Sequence, residues 1–274
     1  MKKRKTLVIG LDGLDWQLLN PLMDQGFLPA LRRLKERGVY GNINTLNPTL
    51  SPILWNSIAT GKRAYAHGIH GFTEVDEETQ TIRPASSLSR NCKALWNIFQ
   101  QNGYESHVIN WFASHPAEPL NGSMISDLFP EGGVPMDQPW PLKKGTIHPE
   151  GLNESLLDCR VSFDEIPPEI IQTFVPKASE VKGEDNRLLR MTKELAKAYT
   201  VHNATTWIME NESWDFLAAY WRTPDILFHY FMPYHPPAIA GVGEKDMELY
   251  GKVVTEVCGY FDLFLQTYLR LVDD

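Results

Sequence analysis

The sequence predicts an α/β fold: a mostly parallel sheet sandwiched by helices, with a smaller cap or insertion region. Two short, uninterrupted apolar runs, TLVIGL (Thr6–Leu11) and FLAAYW (Phe216–Trp221), have the length and continuity of strands buried on both faces. Stretches of helical period alternate with strand-like runs along most of the chain, as βαβ connections require. At 274 residues and 43% hydrophobic, the chain can also build a substantial core.

The elements follow in order. TLVIGL ends at Asp12-Gly13, a turn pair, and Asp15 is placed to cap a helix whose apolar face includes Leu18, Leu19 and Leu22. A second helix is predicted over Leu28–Arg37, stopped by Gly38, and a strand over Val39–Leu46. After the loop Asn47-Pro48-Thr49, Ser51-Pro52 opens another helix, with Ser51 as N-cap and proline in the first turn. Residues 72–83 alternate around a polar turn and predict a surface hairpin. A helix near Lys93–Gln101 and a strand near Ser106–Ile109 repeat the alternation.

Seven prolines then punctuate residues 112–150, an irregular excursion of the kind used for lids and insertions. Residues 150–183 read as a small helical or mixed cap. A long helix near Glu184–Glu212 leads into FLAAYW, and a last one is predicted from about Glu244 to Leu271, where Tyr250, Val253, Val257, Phe261, Phe264 and Tyr268 recur near helical spacing. The expected division is therefore 1–111 and 184–274 as parts of one α/β core, with 112–183 as the cap.

Charge and composition exclude several functions. With 26 Lys+Arg against 34 Asp+Glu, the net charge is −8, and no basic stripe exists to neutralise a nucleic-acid duplex. The cluster Lys2-Lys3-Arg4-Lys5 reads as a solvated tail. Asp12 and Asp15 interrupt the apolar run after it, so a secretory leader is not expected. No uncharged apolar run is long enough to span a bilayer. Cys92, Cys159 and Cys258 are odd in number and far apart, which suits reduced thiols and a cytoplasmic location.

In a parallel sheet, ligands bind beyond the carboxyl ends of the strands, and three features fall there. Asp12 follows the first strand, where a carboxylate can ligate a metal; an ordinary Asp-Gly turn is the plainer reading. Ser51 begins a helix, where the dipole favours an anion and a hydroxyl can serve as nucleophile; simple capping is the plainer reading, and Thr49 is a rival hydroxyl. Asp225 and His229, four apart on one helical face, can share a zinc, manganese or iron ion, or simply pair as charges. His67 and His70 flank a glycine turn, and His235 fits a loop. Six tryptophans, at 55, 96, 111, 207, 214 and 221, read as packing. There is no CxxC, HExxH, P-loop or GxSxG pattern.

Taken together, VIGLDGLD, PTLSPILWNSIATGKRAYAHGIHGF and TPDILFH, in that order, resemble the alkaline phosphatase superfamily. The resemblance is to its type I phosphodiesterase/nucleotide pyrophosphatase group, and in particular to bacterial phosphohydrolases of that group, which the stretch Val108–Asp127 also resembles. It implies an alkaline-phosphatase-like fold and hydrolysis of phosphate mono- or diesters of small molecules at a site with two divalent metals, usually zinc, with manganese as an alternative. In that template Asp12 and the nucleophile Ser51 hold one metal, together with an Asp-His dipeptide, while Asp225 and His229 hold the other, with a later His.

Two departures stand out. Phe72 falls where family phosphodiesterases carry an Asn that binds a phosphate oxygen, and the chain contains no Asp-His dipeptide. By the template the chain stops just before part of its metal ligands. The expectation is an N-terminal portion of a longer hydrolase or a non-catalytic remnant of the fold, with an exposed sheet edge prone to self-association. A phosphatase or phosphomutase is a related alternative. A sulfatase is disfavoured, because Ser51-Pro52-Ile53 lacks the C/S-x-P-x-R setting.

Overall fold

The computed structural model describes residues 5–237 and 239–273. The basic tail Lys2-Lys3-Arg4 lies outside them. Strand β1 (Thr6–Leu11) is followed by helices α1 (Trp16–Asp24), α2 (Pro29–Arg37), α3 (Ser51–Thr60) and the single turn α4 (Ala64–His67). The hairpin β2 (Thr73–Val75) and β3 (Ile82–Pro84) precedes α5 (Leu95–Gln101) and the strands β4 (Ser106–Ile109), β5 (Gly122–Ile125) and β6 (Ile147–His148). Two short helices, α6 (Asn153–Leu157) and α7 (Pro168–Phe174), lead to the long α8 (Arg187–Asn211), β7 (Phe216–Trp221), α9 (Thr223–Phe231), α10 (Glu244–Tyr250) and α11 (Val253–Asp273).

Among the described residues the main sheet has the order β1-β7-β4-β5-β6. The first four strands run parallel and β6 is antiparallel to β5. All six residues of β7 are buried, as a strand flanked on both sides and covered on both faces must be. Its alternation divides the core: Leu217, Ala219 and Trp221 join one apolar cluster, with α1, α8, α9 and α11, while Phe216, Ala218 and Tyr220 join the other, with Trp96, Trp111 and Ala59. Each large apolar side chain so buried contributes about 1.5–3 kcal/mol.

Local chemistry accounts for the helix ends. Asp15 accepts from the Gln17 amide at 2.6 Å and caps α1 as expected. No side chain of its own segment caps α2. Asp262 of α11 does so instead, accepting from the Ala30 and Leu31 amides at 3.0 and 2.8 Å. The predicted C-terminal helix is two helices: α10 closes on its C-cap Gly251, whose amide donates to the Met247 carbonyl at 2.9 Å, and α11 begins at Val253. The hairpin falls within a residue or two of its predicted place.

Three further expectations are corrected. TLVIGL, expected to be buried on both faces, forms an edge strand of the described sheet in which only Gly10 is buried. Residues 39–46 carry apolar side chains at strand-like positions, yet the segment forms no strand among the described residues, and Val39 and Ile43 are exposed. The side-chain pattern is present, but no neighbouring strand supplies the hydrogen bonds. Conversely, β5 and β6 lie inside the proline-rich excursion, where short buried strands leave too little periodicity to read. Of the three cysteines, Cys159 and Cys258 are buried and Cys92 is partly so, all as free thiols.

Candidate active site

The parallel register aligns Leu11 with Trp221, so β1 and β7 end side by side. The Asp12 amide donates to the Trp221 carbonyl at 3.0 Å, which holds Asp12 at the shared tip. Tyr220 donates its hydroxyl to Asp12 Oδ2 at 2.7 Å. Burial raises the Tyr220 phenol well above its ordinary pKa, and the Asp12 carboxylate adds to that, so the hydroxyl stays a donor. One carboxylate oxygen of Asp12 is thereby oriented.

Gly13 then turns the chain with φ +77° and lies against the first turn of α9, where a Cβ would come within 2.8 Å of Asp225 Cα. This close approach brings Asp225 beside Asp12. Burial pushes the Asp225 carboxyl above the usual carboxylate range, and the Asp12 charge pushes the same way, opposed by His229 and Arg222. His229 Nε2 lies 3.5 Å from Asp225 Oδ2, with the imidazole largely exposed. Two carboxylates held this close would be eased by a bound cation.

Ser51 is the first residue of α3, and Leu50 rather than Ser51 is the N-cap, with no side-chain capping bond. The plain capping role is therefore not what Ser51 does. Trp55, one turn on and on the same face, packs on Gly10 and against Tyr220, with ring centroids 4.5 Å apart and the planes tilted by 53°. Thus α3 is keyed to the strand tips through Trp55 and Tyr220. Gly10 is required there, since a Cβ would lie 2.7 Å from the Trp55 ring. Thr49 bonds weakly back to the Leu46 carbonyl at 3.4 Å, outside the helix.

The other histidines have separate places. His67 is fully buried, bonded to Ser57 at 3.1 Å and accepting from the Ile69 amide at 3.2 Å. His235 lines a groove with Leu18, Pro21 and Glu256, apart from Asp225. Among the described residues, no three His, Cys, Asp or Glu side chains converge on one point able to hold a metal ion. The donor types present, two carboxylates and an imidazole, suit zinc or manganese, but the set is partial.

Sequence reasoning missed Arg222 and the cavity beside it. The cavity has a volume of about 160 Å³ and is lined by Asn110, Phe112, Asp127, Lys197, Tyr220 and Arg222 among others. The order of the strands, not any local motif, brings these residues to one sheet end. No helix of the described residues is long and apolar enough to cross a membrane.

Two comparisons bear on this arrangement. Among solved structures, murine ectonucleotide pyrophosphatase / phosphodiesterase 5 is 15% identical, over 98% of this chain and 53% of that chain, with a TM-score of 0.52. Its inactive variant in complex with AMP gives 14%, 98%, 52% and 0.51. Phosphonoacetate hydrolase from Sinorhizobium meliloti 1021, in complex with phosphonoacetate, is 15% identical over 99% of this chain and 53% of that chain, with a TM-score of 0.53. At these identities the likeness is one of fold, and the chain spans about half the length of these solved relatives. No curated protein matches the sequence. Residues 6–273, however, match the type I phosphodiesterase / nucleotide pyrophosphatase family, and the chain belongs to that family.

Proposed function

We propose that this chain carries the nucleophile and part of the two-metal site of a hydrolase acting on phosphate mono- or diesters of small molecules. The observation that carries the reading is the meeting of Asp12 and Asp225 at the tips of β1 and β7, with α3 keyed to the same tips through Trp55. Family membership supports the reaction class.

In this reading Asp12 and Ser51 would hold one metal ion, and Asp225 and His229 the other, zinc or manganese. Such ions, when bound, neutralise phosphoryl oxygens and lower the pKa of a coordinated hydroxyl. The chain's own residues do the rest. Ser51 attacks phosphorus in line from the start of α3, whose dipole favours negative charge nearby; the new P–O bond forms as the opposite ester P–O bond breaks, the alcohol departing and the serine proton passing to solvent. Tyr220 fixes the Asp12 carboxylate, and Gly13 sets the spacing of the two aspartates. Within 112–183, β5 and β6 belong to the main sheet, and the loops around them shape the substrate cavity, a role supported by Phe112, Asp127, Leu128 and Glu131 on its wall.

The partial donor set favours one variant of this reading, in which the chain alone binds metal but does not turn over. Zinc or manganese titration is expected to show weak binding, lost in Asp225→Asn and His229→Ala. Hydrolysis of p-nitrophenyl phosphate and bis-p-nitrophenyl phosphate by this chain is expected to be negligible. Tight retention of two metals would overturn the partial-site reading. Binding unaffected by Asp225→Asn would remove that residue from the site altogether.

A further inference from the structure

Arg222 is the first residue beyond β7, beside Asp12 at the tip of the neighbouring strand. Its guanidinium lies over two aromatic rings, 5.8 Å from Phe72 and 5.5 Å from Phe112. The rings are themselves 5.9 Å apart at 66°. The Phe112 carbonyl accepts a bond from Asn56 of α3 at 3.4 Å, which ties this aromatic pair to the helix that begins with Ser51.

Arg222 differs from the protein's well-paired arginines. Arg90, for instance, is bonded to Glu118, and Arg187 to Asp185 and Asp246. Arg222 is exposed, and among the described residues it forms no salt bridge or hydrogen bond through its side chain, although Asp12 and Asp225 lie close by. A guanidinium resting on aromatic faces is restrained at little cost to its N–H donors, which stay available for a planar, bidentate oxyanion. Tyr220 and Phe112, its neighbours, share the wall of the adjoining cavity with it.

We propose that Arg222, restrained by Phe72 and Phe112, binds the phosphoryl oxygens of the substrate and biases the site toward dianionic phosphate monoesters over monoanionic diesters. The proposal rests on the phosphoester reading above and names the substrate class within it. A monoester near neutral pH offers three terminal oxygens and up to two charges, whereas a diester offers two oxygens and one charge. A fixed cation added beside the metal site therefore rewards the monoester more.

The test is binding, measured by ³¹P NMR titration of the full chain with methyl phosphate and with dimethyl phosphate, with and without zinc. Wild type, Arg222→Ala, Arg222→Lys and Asp225→Asn are compared. For wild type we expect tighter binding of methyl phosphate. In Arg222→Ala that affinity falls by about 10- to 100-fold, while dimethyl phosphate changes only slightly, so discrimination collapses. Arg222→Lys restores part of it, since charge returns without the planar fork. Thermal melts matching wild type show that the variants are folded; if Arg222→Ala melts early, the lysine variant decides. An unchanged ester ratio in Arg222→Ala, with Asp225→Asn losing both esters, overturns the assignment of Arg222 and leaves the hydrolase reading standing. Binding of neither ester by wild type overturns both.

Discussion

Replacing Gly13 by alanine tests the contact on which the pairing of Asp12 with Asp225 depends. Two costs combine. At φ +77° an alanine is strained, at about 1–2 kcal/mol. The new Cβ would also lie 2.8 Å from Asp225 Cα and 3.1 Å from its Cβ and amide nitrogen, and backbone cannot yield as a flexible side chain does. Such overpacking costs about 1–3 kcal/mol, giving a sum of about 2–5 kcal/mol. Gly26 supplies the control: its φ is +82°, and nothing lies within 4 Å of where an added methyl group would sit, so Gly26→Ala carries the strain alone. With a urea m-value of about 3 kcal/mol/M, the two variants should differ in midpoint by roughly 0.3–1 M at equal slope. Zinc binding should weaken in Gly13→Ala only. Equal midpoints and equal zinc affinities for the two variants would refute the close packing of Gly13 on α9 as the device that spaces the aspartates.

Two other outcomes are expected. Asp262→Ala removes the acceptor of the Ala30 and Leu31 amides at the start of α2, and urea denaturation should show a loss of about 1–2 kcal/mol; a neutral result would mean that water caps α2 equally well. Asp127 is held by the Ala113 and His115 amides at 2.8 and 3.0 Å, yet burial pushes its carboxyl from 3.8 up to about 6. The folded state therefore binds a proton more readily than the unfolded one. The contribution is fully present below pH 3.8 and is lost as pH rises through about 6. A difference of this size corresponds to up to about 3 kcal/mol. Asp127→Asn, which stays neutral but can accept only one of these two amide bonds, should lie below wild type near pH 4 and gain on it by pH 7 in urea denaturation, whereas a gap independent of pH would contradict the raised pKa.

The parts of the fold legible in the sequence are those whose signal is local. FLAAYW is a short apolar run because β7 is covered on both faces, and Asp225 and His229 share a helical face by simple spacing, whereas TLVIGL has the same look although β1 lies at the edge of the described sheet with only Gly10 buried. Val39–Leu46 misleads because a strand is a property of two segments, and the sequence displays only one. Ser-Pro chemistry points to Ser51 as an N-cap, but the chain enters α3 one residue earlier, through an extended Leu50. Arg222 carries no local signal at all: its meaning comes from Phe72 and Phe112, which are remote in sequence and meet it only through the sheet order. Asp12 gains its partner carboxylate only through the approach of Gly13 to Asp225, which no spacing along the chain reveals.

The bond between Tyr220 and Asp12 also has a consequence in time. Its partners are 208 positions apart, and β1 finds its partner among the described residues only in β7. A ribosome adding about 5–20 residues per second needs roughly 10–40 s to make β7 after β1 has emerged. Throughout that interval the apolar strand bearing Asp12 is without its partner. The opening strand of the chain is thus an obligate late joiner, exposed to chaperones and to other nascent chains before its own sheet exists.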